Sequence, residues 1–139
     1  MTVHSARIAV ASRGDGDTLD LTGDLARELV ASGLADGVAV LFIGGSTAGL
    51  TTIEFEPGAV GDLGRLFEEI APQDREYRHH LAWGDDNGHS HVRAALLGPS
   101  LSVPFAGGRL GLGTWQQVIL VDFDTRPRRR EVQVQFLGE

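Results

Sequence analysis

The chain has 139 residues, 42% of them hydrophobic and 22% charged, with a formal net charge of −7. This is enough for one domain with a real core, and the net negative charge argues against broad nucleic-acid binding, which needs many cations on one surface. There is no cysteine, and all twelve basic residues are arginine, so thiolate, disulfide, Schiff-base lysine and P-loop lysine chemistries are excluded.

In chain order, "RIAVAS" (Arg7 to Ser12) alternates weakly and predicts an opening strand. "LDLTGDLARELVASG" places Leu21, Leu25 and Leu29 at helical spacing, with Asp20 or Thr22 as N-cap and Gly33 as stop. "VAVLFI" (Val38 to Ile43) is a continuous apolar run suited to a buried strand, and it breaks into "GGSTAG". "LTTIEFE" (Leu50 to Glu56) alternates, with Glu54 and Glu56 on one face, until Pro57 and Gly58.

Leu63, Leu66, Phe67 and Ile70 then define an amphipathic helix stopped by Pro72. "HSHVRAALLGP" predicts a short helix with Asn87 as N-cap and Gly98 as stop. "SLSVPF", "LGLGTWQQVILVDFD" and "EVQVQFLG" are strand material, separated by the turns "AGGR" and "TRPRRR". The expectation is a single α+β domain over residues 1–139, with substantial antiparallel sheet and about three helices. No apolar run is long enough for a membrane span, and the N-terminus lacks a secretory-signal pattern, so a cytoplasmic protein is expected.

The segment "YRHHLAWGDDNGHSH" (residues 77–91) carries four of the five histidines, interleaved with Asp85 and Asp86. Imidazole and carboxylate are the ligands that a cysteine-free chain can offer to zinc or a similar divalent ion. If a helix opens at residue 88, His89 and His91 lie about 200° apart around it, so one of them, His91 by preference, enters a given site. The N–H groups of that helix start, at Gly88 and after, suit a phosphate. A solvated polar loop explains the same residues about equally well. "GGSTAG", with the hydroxyls of Ser46 and Thr47, can present N–H and O–H donors to an anion or be a plain strand-end turn. Glu54 is a candidate base, and Gln116 in "GTWQQ" a candidate hydrogen-bonding contact to substrate. A tryptophan such as Trp115 is more often core than substrate platform. Arg126 to Arg130 can bind a phosphate through paired N–H forks, but a hairpin tip of this kind is more often solvated or paired with the chain's excess carboxylates.

Three stretches, "GSTAGLTTIEFEPG", "GDDNGHSHVRAALLGPSLSVPF" and "GRLGLGTWQQVILVDFDTRPRRREVQVQ", closely resemble the YjbQ-like family, some of whose members are described as secondary thiamine-phosphate synthases. The resemblance runs from the first helix to the closing "FLGE". It implies an α+β domain assembled as a homotrimer, with sites near subunit boundaries. It also implies a divalent metal (zinc or magnesium) held by His79 and His91, and a catalytic set of Glu54, His79, Asn87 and His91. Ser46, Thr47, Gly88 and Gln116 would bind the phosphorylated substrate. The implied reaction is that of a transferase, joining a pyrimidine pyrophosphate to a thiazole phosphate. The alternatives are a metal-dependent phosphate or ester hydrolase, and a non-enzymatic trimeric binder of a small anion. Neither a nucleic-acid nor a membrane partner is expected. One departure stands out: many members carry a histidine where this chain has Gly45.

Overall fold

The computed structural model describes all 139 residues. Twelve elements follow in order: β1 (Thr2–Ser12), β2 (Asp17–Asp20), α1 (Thr22–Ser32), β3 (Gly37–Ile43), β4 (Ala48–Ile53), α2 (Pro57–Ile70), α3 (His79–Trp83), α4 (Gly88–Leu97), β5 (Ser100–Ala106), β6 (Arg109–Leu110), β7 (Gln117–Asp122) and β8 (Arg128–Gly138). All strand pairs are antiparallel, in a five-stranded sheet ordered β1-β8-β3-β5-β6 and a three-stranded sheet ordered β2-β7-β4. The fold is α+β, and no helix is long and apolar enough to cross a membrane.

The apolar run of β7 explains the layering. Its side chains alternate between two faces, and both are covered. Val118 and Leu120 join the main core with Leu41 and Ile43 of β3, Val132, Val134 and Phe136 of β8, and Leu21, Leu25 and Leu29 of α1. Ile119, Val121 and the following Phe123 pack the other way, against Phe67 of α2 and Ala94 of α4. The smaller sheet is therefore sandwiched between the larger sheet and a layer of helices.

Several local readings are corrected. The three longer helices lie where the sequence places them, and a short fourth, α3, forms inside the histidine-rich segment. β2 has no apolar pattern and forms because its backbone pairs with β7. Residues 111–116 lie outside any strand, and Trp115 is 73% exposed rather than core. On α2, Phe67 is buried while Leu66 and Ile70 stay largely exposed. That helix starts at Pro57 because Glu56 accepts hydrogen bonds from the N–H groups of Gly58 and Ala59, which is N-capping.

Beyond Leu120 and Val132 the facing strands β7 and β8 continue with charged residues. Arg130 Nε donates to Asp122 Oδ2 at 2.9 Å and its Nη2 to Oδ1 at 3.0 Å. Arg128 Nε donates to Asp124 Oδ2 at 3.0 Å. Asp122 and Asp124 are almost fully buried. Arg128 and Arg130 thus turn inward to carboxylates, while Arg126 and Arg129 remain exposed. Thr47, on the loop entering β4, donates to Asp124 Oδ2 at 3.1 Å and accepts from Arg130 Nη2 at 2.6 Å. The same corner fixes α4: Asn87 Nδ2 contacts Asp124 Oδ1 at 3.4 Å, and Ser90 Oγ lies 2.5 Å from the Phe123 carbonyl oxygen.

The approach to α4 is equally constrained. A Cβ on Gly88 would sit 2.4 Å from Tyr77 Cβ, so only glycine lets the chain before α3 cross the start of α4 at this distance. Tyr77 is anchored by its hydroxyl, which donates to the Pro72 carbonyl at 2.7 Å.

Arg130→Gln should leave the Asp122 carboxylate buried without its cation and destabilise the fold by about 3–5 kcal/mol, measured by chemical denaturation; a loss below about 1 kcal/mol would make the pair peripheral. Gly88→Ala should cost about 1–3 kcal/mol by overpacking and shift the ring resonances of both His79 and His91 in NMR. Unmoved histidine signals would contradict the close approach.

Candidate functional site

The segment carrying α3 and the start of α4 meet over the loop at residues 44–47. His79 stands at the start of α3 and His91 in the first turn of α4, and their rings lie 4.4 Å apart, centroid to centroid. Asp85 joins them from the turn between the two helices. Ligand atoms of His79, Asp85 and His91 all lie within 4.8 Å of one another. That turn is shaped by two residues in the left-handed region, Gly84 (φ 62°) and Asp86 (φ 57°). It sends Asp85 toward His79 and leaves Asp86 beside His80, with His80 Nε2 2.7 Å from Asp86 Oδ1.

The orientation of the imidazoles bears on metal binding. His91 Nδ1 lies 2.9 Å from the Ser46 carbonyl oxygen. A carbonyl can only accept, so Nδ1 carries the proton and Nε2 keeps its lone pair, the arrangement in which outer partners orient metal-binding histidines. His79 Nδ1 approaches Asp85 Oδ1 to 3.1 Å, yet it is a buried nitrogen without hydrogen-bond geometry to any partner. Two imidazoles and a carboxylate, one nitrogen being unsatisfied, fit a divalent cation, and the nitrogen content suits zinc better than magnesium. Asp85 is the member that sequence reasoning left open, because nothing local distinguishes it from Asp86.

His89 is on the other side of α4. It is 2% exposed, and burial, followed by the charge of Arg93, pushes its pKa down, so that the neutral imidazole is favoured. Asn87 holds the N-cap position, but its side chain makes no cap hydrogen bond. Its Oδ1 accepts instead from Ser90 Oγ at 2.8 Å, and its Nδ2 serves Asp124. Asp124 experiences opposing influences: burial raises its pKa, while hydrogen bonds from Asn87, Thr47 and Arg128 outweigh it and hold the carboxyl below the usual range.

Thr47 was expected to donate to phosphate, but it is buried and its one O–H proton is directed to Asp124. Ser46 is exposed and offers its carbonyl to His91. Gly88 is buried with Tyr77 against it, so that side of its backbone is filled by protein rather than open to an anion. At Gly45 (φ 99°) a Cβ would meet Arg130 Nη1 at 3.3 Å. The guanidinium therefore occupies the space beside this position, and any L side chain in this backbone conformation, a histidine included, would be strained.

Glu54 and Gln116 are not part of this cluster within one chain. β4 and β7 pair from Ala48 with Asp122 to Ile53 with Gln117, which places Ser46, Thr47, Asp122 and Asp124 at one end and Glu54 and Gln116 at the other, about 20 Å away along the strand. At that far end Gln116 Nε2 donates to Thr52 Oγ1 at 3.0 Å, and Gln117 Oε1 accepts from Phe55 N–H at 2.8 Å. Glu54 itself is exposed.

Comparison with known proteins places this architecture. The sequence model described as UPF0047 protein YjbQ-like matches residues 6–139. A UPF0047 protein of Methanothermobacter thermautotrophicus is 31% identical over 139 residues, covering 100% of this chain and 95% of that protein. Another from Synechocystis is 40% identical over 110 residues, or 78% and 74% of the two chains. Among solved structures, a YbjQ-like protein of unknown function from Sulfolobus solfataricus superposes with a TM-score of 0.94 at 31% identity, covering 99% of each chain. The fold and the matched residues together establish that the chain belongs to the YjbQ-like UPF0047 family.

Proposed function

We propose that the chain is a metal-dependent transferase of the thiamine-phosphate synthase type. The observation that carries this reading is the convergence of His79, Asp85 and His91, beside a glycine loop backed by Arg130. In the reaction, the bond between the pyrimidine's methylene carbon and a pyrophosphate oxygen breaks. Pyrophosphate leaves with the electron pair, and the thiazole ring nitrogen forms the new C–N bond from its lone pair. A divalent ion on the two imidazoles and the carboxylate would neutralise charge building on the leaving pyrophosphate.

The chain's own residues have assignable roles in this reading. His79 and His91 hold the ion, with the Ser46 carbonyl keeping His91 in the ligating tautomer. Asp85 is the third ligand. Arg130, close to Gly45 and paired with Asp122, supports the loop, and the exposed Ser46 hydroxyl donates to a phosphate oxygen. Asn87 is a positioning residue that ties the start of α4 to Asp124. Glu54 and Gln116, at the distant end of β4, would contribute only across a subunit boundary of the trimer that the family resemblance implies.

Multi-turnover formation of thiamine phosphate from the two substrates tests this, using metal-loaded and chelator-treated protein. Turnover is expected to need the metal and to fall at least about tenfold in His79→Ala and in His91→Ala. Turnover unchanged in both variants would refute the assignment. Pyrophosphate released without the thiazole substrate would mark a hydrolase instead.

A further inference from the structure

The side of α4 that faces away from His91 borders a second, separate space. His89, Arg93 and the aromatic rings of Phe67 and Phe123 line a cavity of about 270 Å³ between α2, α4, β7 and the turn joining β1 to β2. The two phenyl rings meet edge to face, with centroids 4.9 Å apart, and Val121 adds to the apolar wall. His89 and Arg93 are buried, whereas Asp15, Glu68 and Gly64 are exposed and form the mouth. A cavity of about 150 Å³ already accepts benzene, so this one admits a flat molecule of about ten non-hydrogen atoms.

The charges at the wall select among such molecules. Arg93 is already committed: its Nε donates to the Ala71 carbonyl at 2.9 Å and its Nη2 to Glu68 Oε2 at 2.6 Å. Asp15 is held through its backbone, its N–H donating to the Asp124 carbonyl at 2.7 Å, and its carboxylate makes no hydrogen bond to protein. The groups facing His89 are Arg93 on its own helix, Glu68 on α2 and Asp15 on the turn. Arg93 and Glu68 neutralise one another as an ion pair, which leaves the Asp15 carboxylate as the one unpaired charge at the cavity. An anionic ligand would meet repulsion at the mouth and no free cation inside.

We propose that this cavity is a second ligand site, independent of the metal-type cluster, for a small flat basic nitrogen compound such as an amidine or an amino-substituted heterocycle. The ring packs against Phe67 and Phe123. Its N–H groups donate to Asp15 and Glu68, with the His89 ring forming part of the inner wall.

Benzamidine and benzoate, flat molecules of matching size and opposite charge, test the proposal by NMR titration of the whole protein with labelled histidine side chains. Benzamidine should shift the His89 ring signals saturably, and benzoate should bind at least about tenfold more weakly because of the carboxylates at the mouth. Gly64 lies within a helix, and a Cβ there meets no atom within 4 Å. Gly64→Leu should therefore fold with an undiminished Tm, cover the mouth and abolish the shift. Asp15→Asn should weaken benzamidine and, by removing a repelling carboxylate, strengthen benzoate, and His91→Ala should bind benzamidine as the parent chain does. No saturable shift at His89, equal affinity for the two probes, or binding that survives Gly64→Leu would each overturn the assignment.

Discussion

The paired ions Asp122–Arg130 and Asp124–Arg128 are the constraint on which the rest of the site depends. Their strands, β7 and β8, bring apolar faces together through Val118, Leu120, Val132 and Val134, then end in buried charge. Removing two charges from water is expensive, so such pairs contribute more to geometry than to net stability. Here each carboxylate is shared. Asp122 accepts from Nε and Nη2 of Arg130, while Asp124 receives Arg128, Thr47 and Asn87. One polar knot therefore ties together two strands, the loop before β4 and the start of α4.

That knot determines what the exposed residues can do. Thr47 is drawn inward, which leaves the neighbouring Ser46 carbonyl outside to meet His91 Nδ1. Asn87 and Ser90 fix the first turn of α4, and with it the direction of His91. Gly88 admits Tyr77, which brings His79 over the same turn. The pair of histidines thus arises from long-range constraints acting on both partners. The two faces of α4 part company at this point: His91 faces the loop, and His89 faces the cavity against α2.

Much of the framework was legible in the sequence because its signals are local. The apolar runs of β3 and β7, the Leu21, Leu25 and Leu29 spacing of α1, and the glycine stops at Gly33 and Gly98 each depend on a few adjacent residues. What escaped depends on distant partners. β2 exists because β7 pairs with it, and which arginines of the Arg126 to Arg130 cluster pair with carboxylates is decided by Asp124 and Asp122 facing Arg128 and Arg130. The choice of Asp85 over Asp86 rests on left-handed backbone at Gly84 and Asp86, which composition does not reveal. Glu54 and Gln116 sit close to the other candidates in motif but at the opposite end of the β4–β7 pair, a separation fixed by strand pairing. The exposed faces of Leu66, Ile70 and Trp115 likewise defied a pattern that reads apolar as buried.

The most direct test of the account is titration of metal-free protein with Co²⁺, following its visible absorption in the parent chain and in the His79→Ala, Asp85→Asn and His91→Ala variants. One cobalt ion should bind per chain in a mixed nitrogen and oxygen environment, with the spectrum lost in either histidine variant and altered in Asp85→Asn. No bound cobalt, or a spectrum indifferent to all three substitutions, would contradict it.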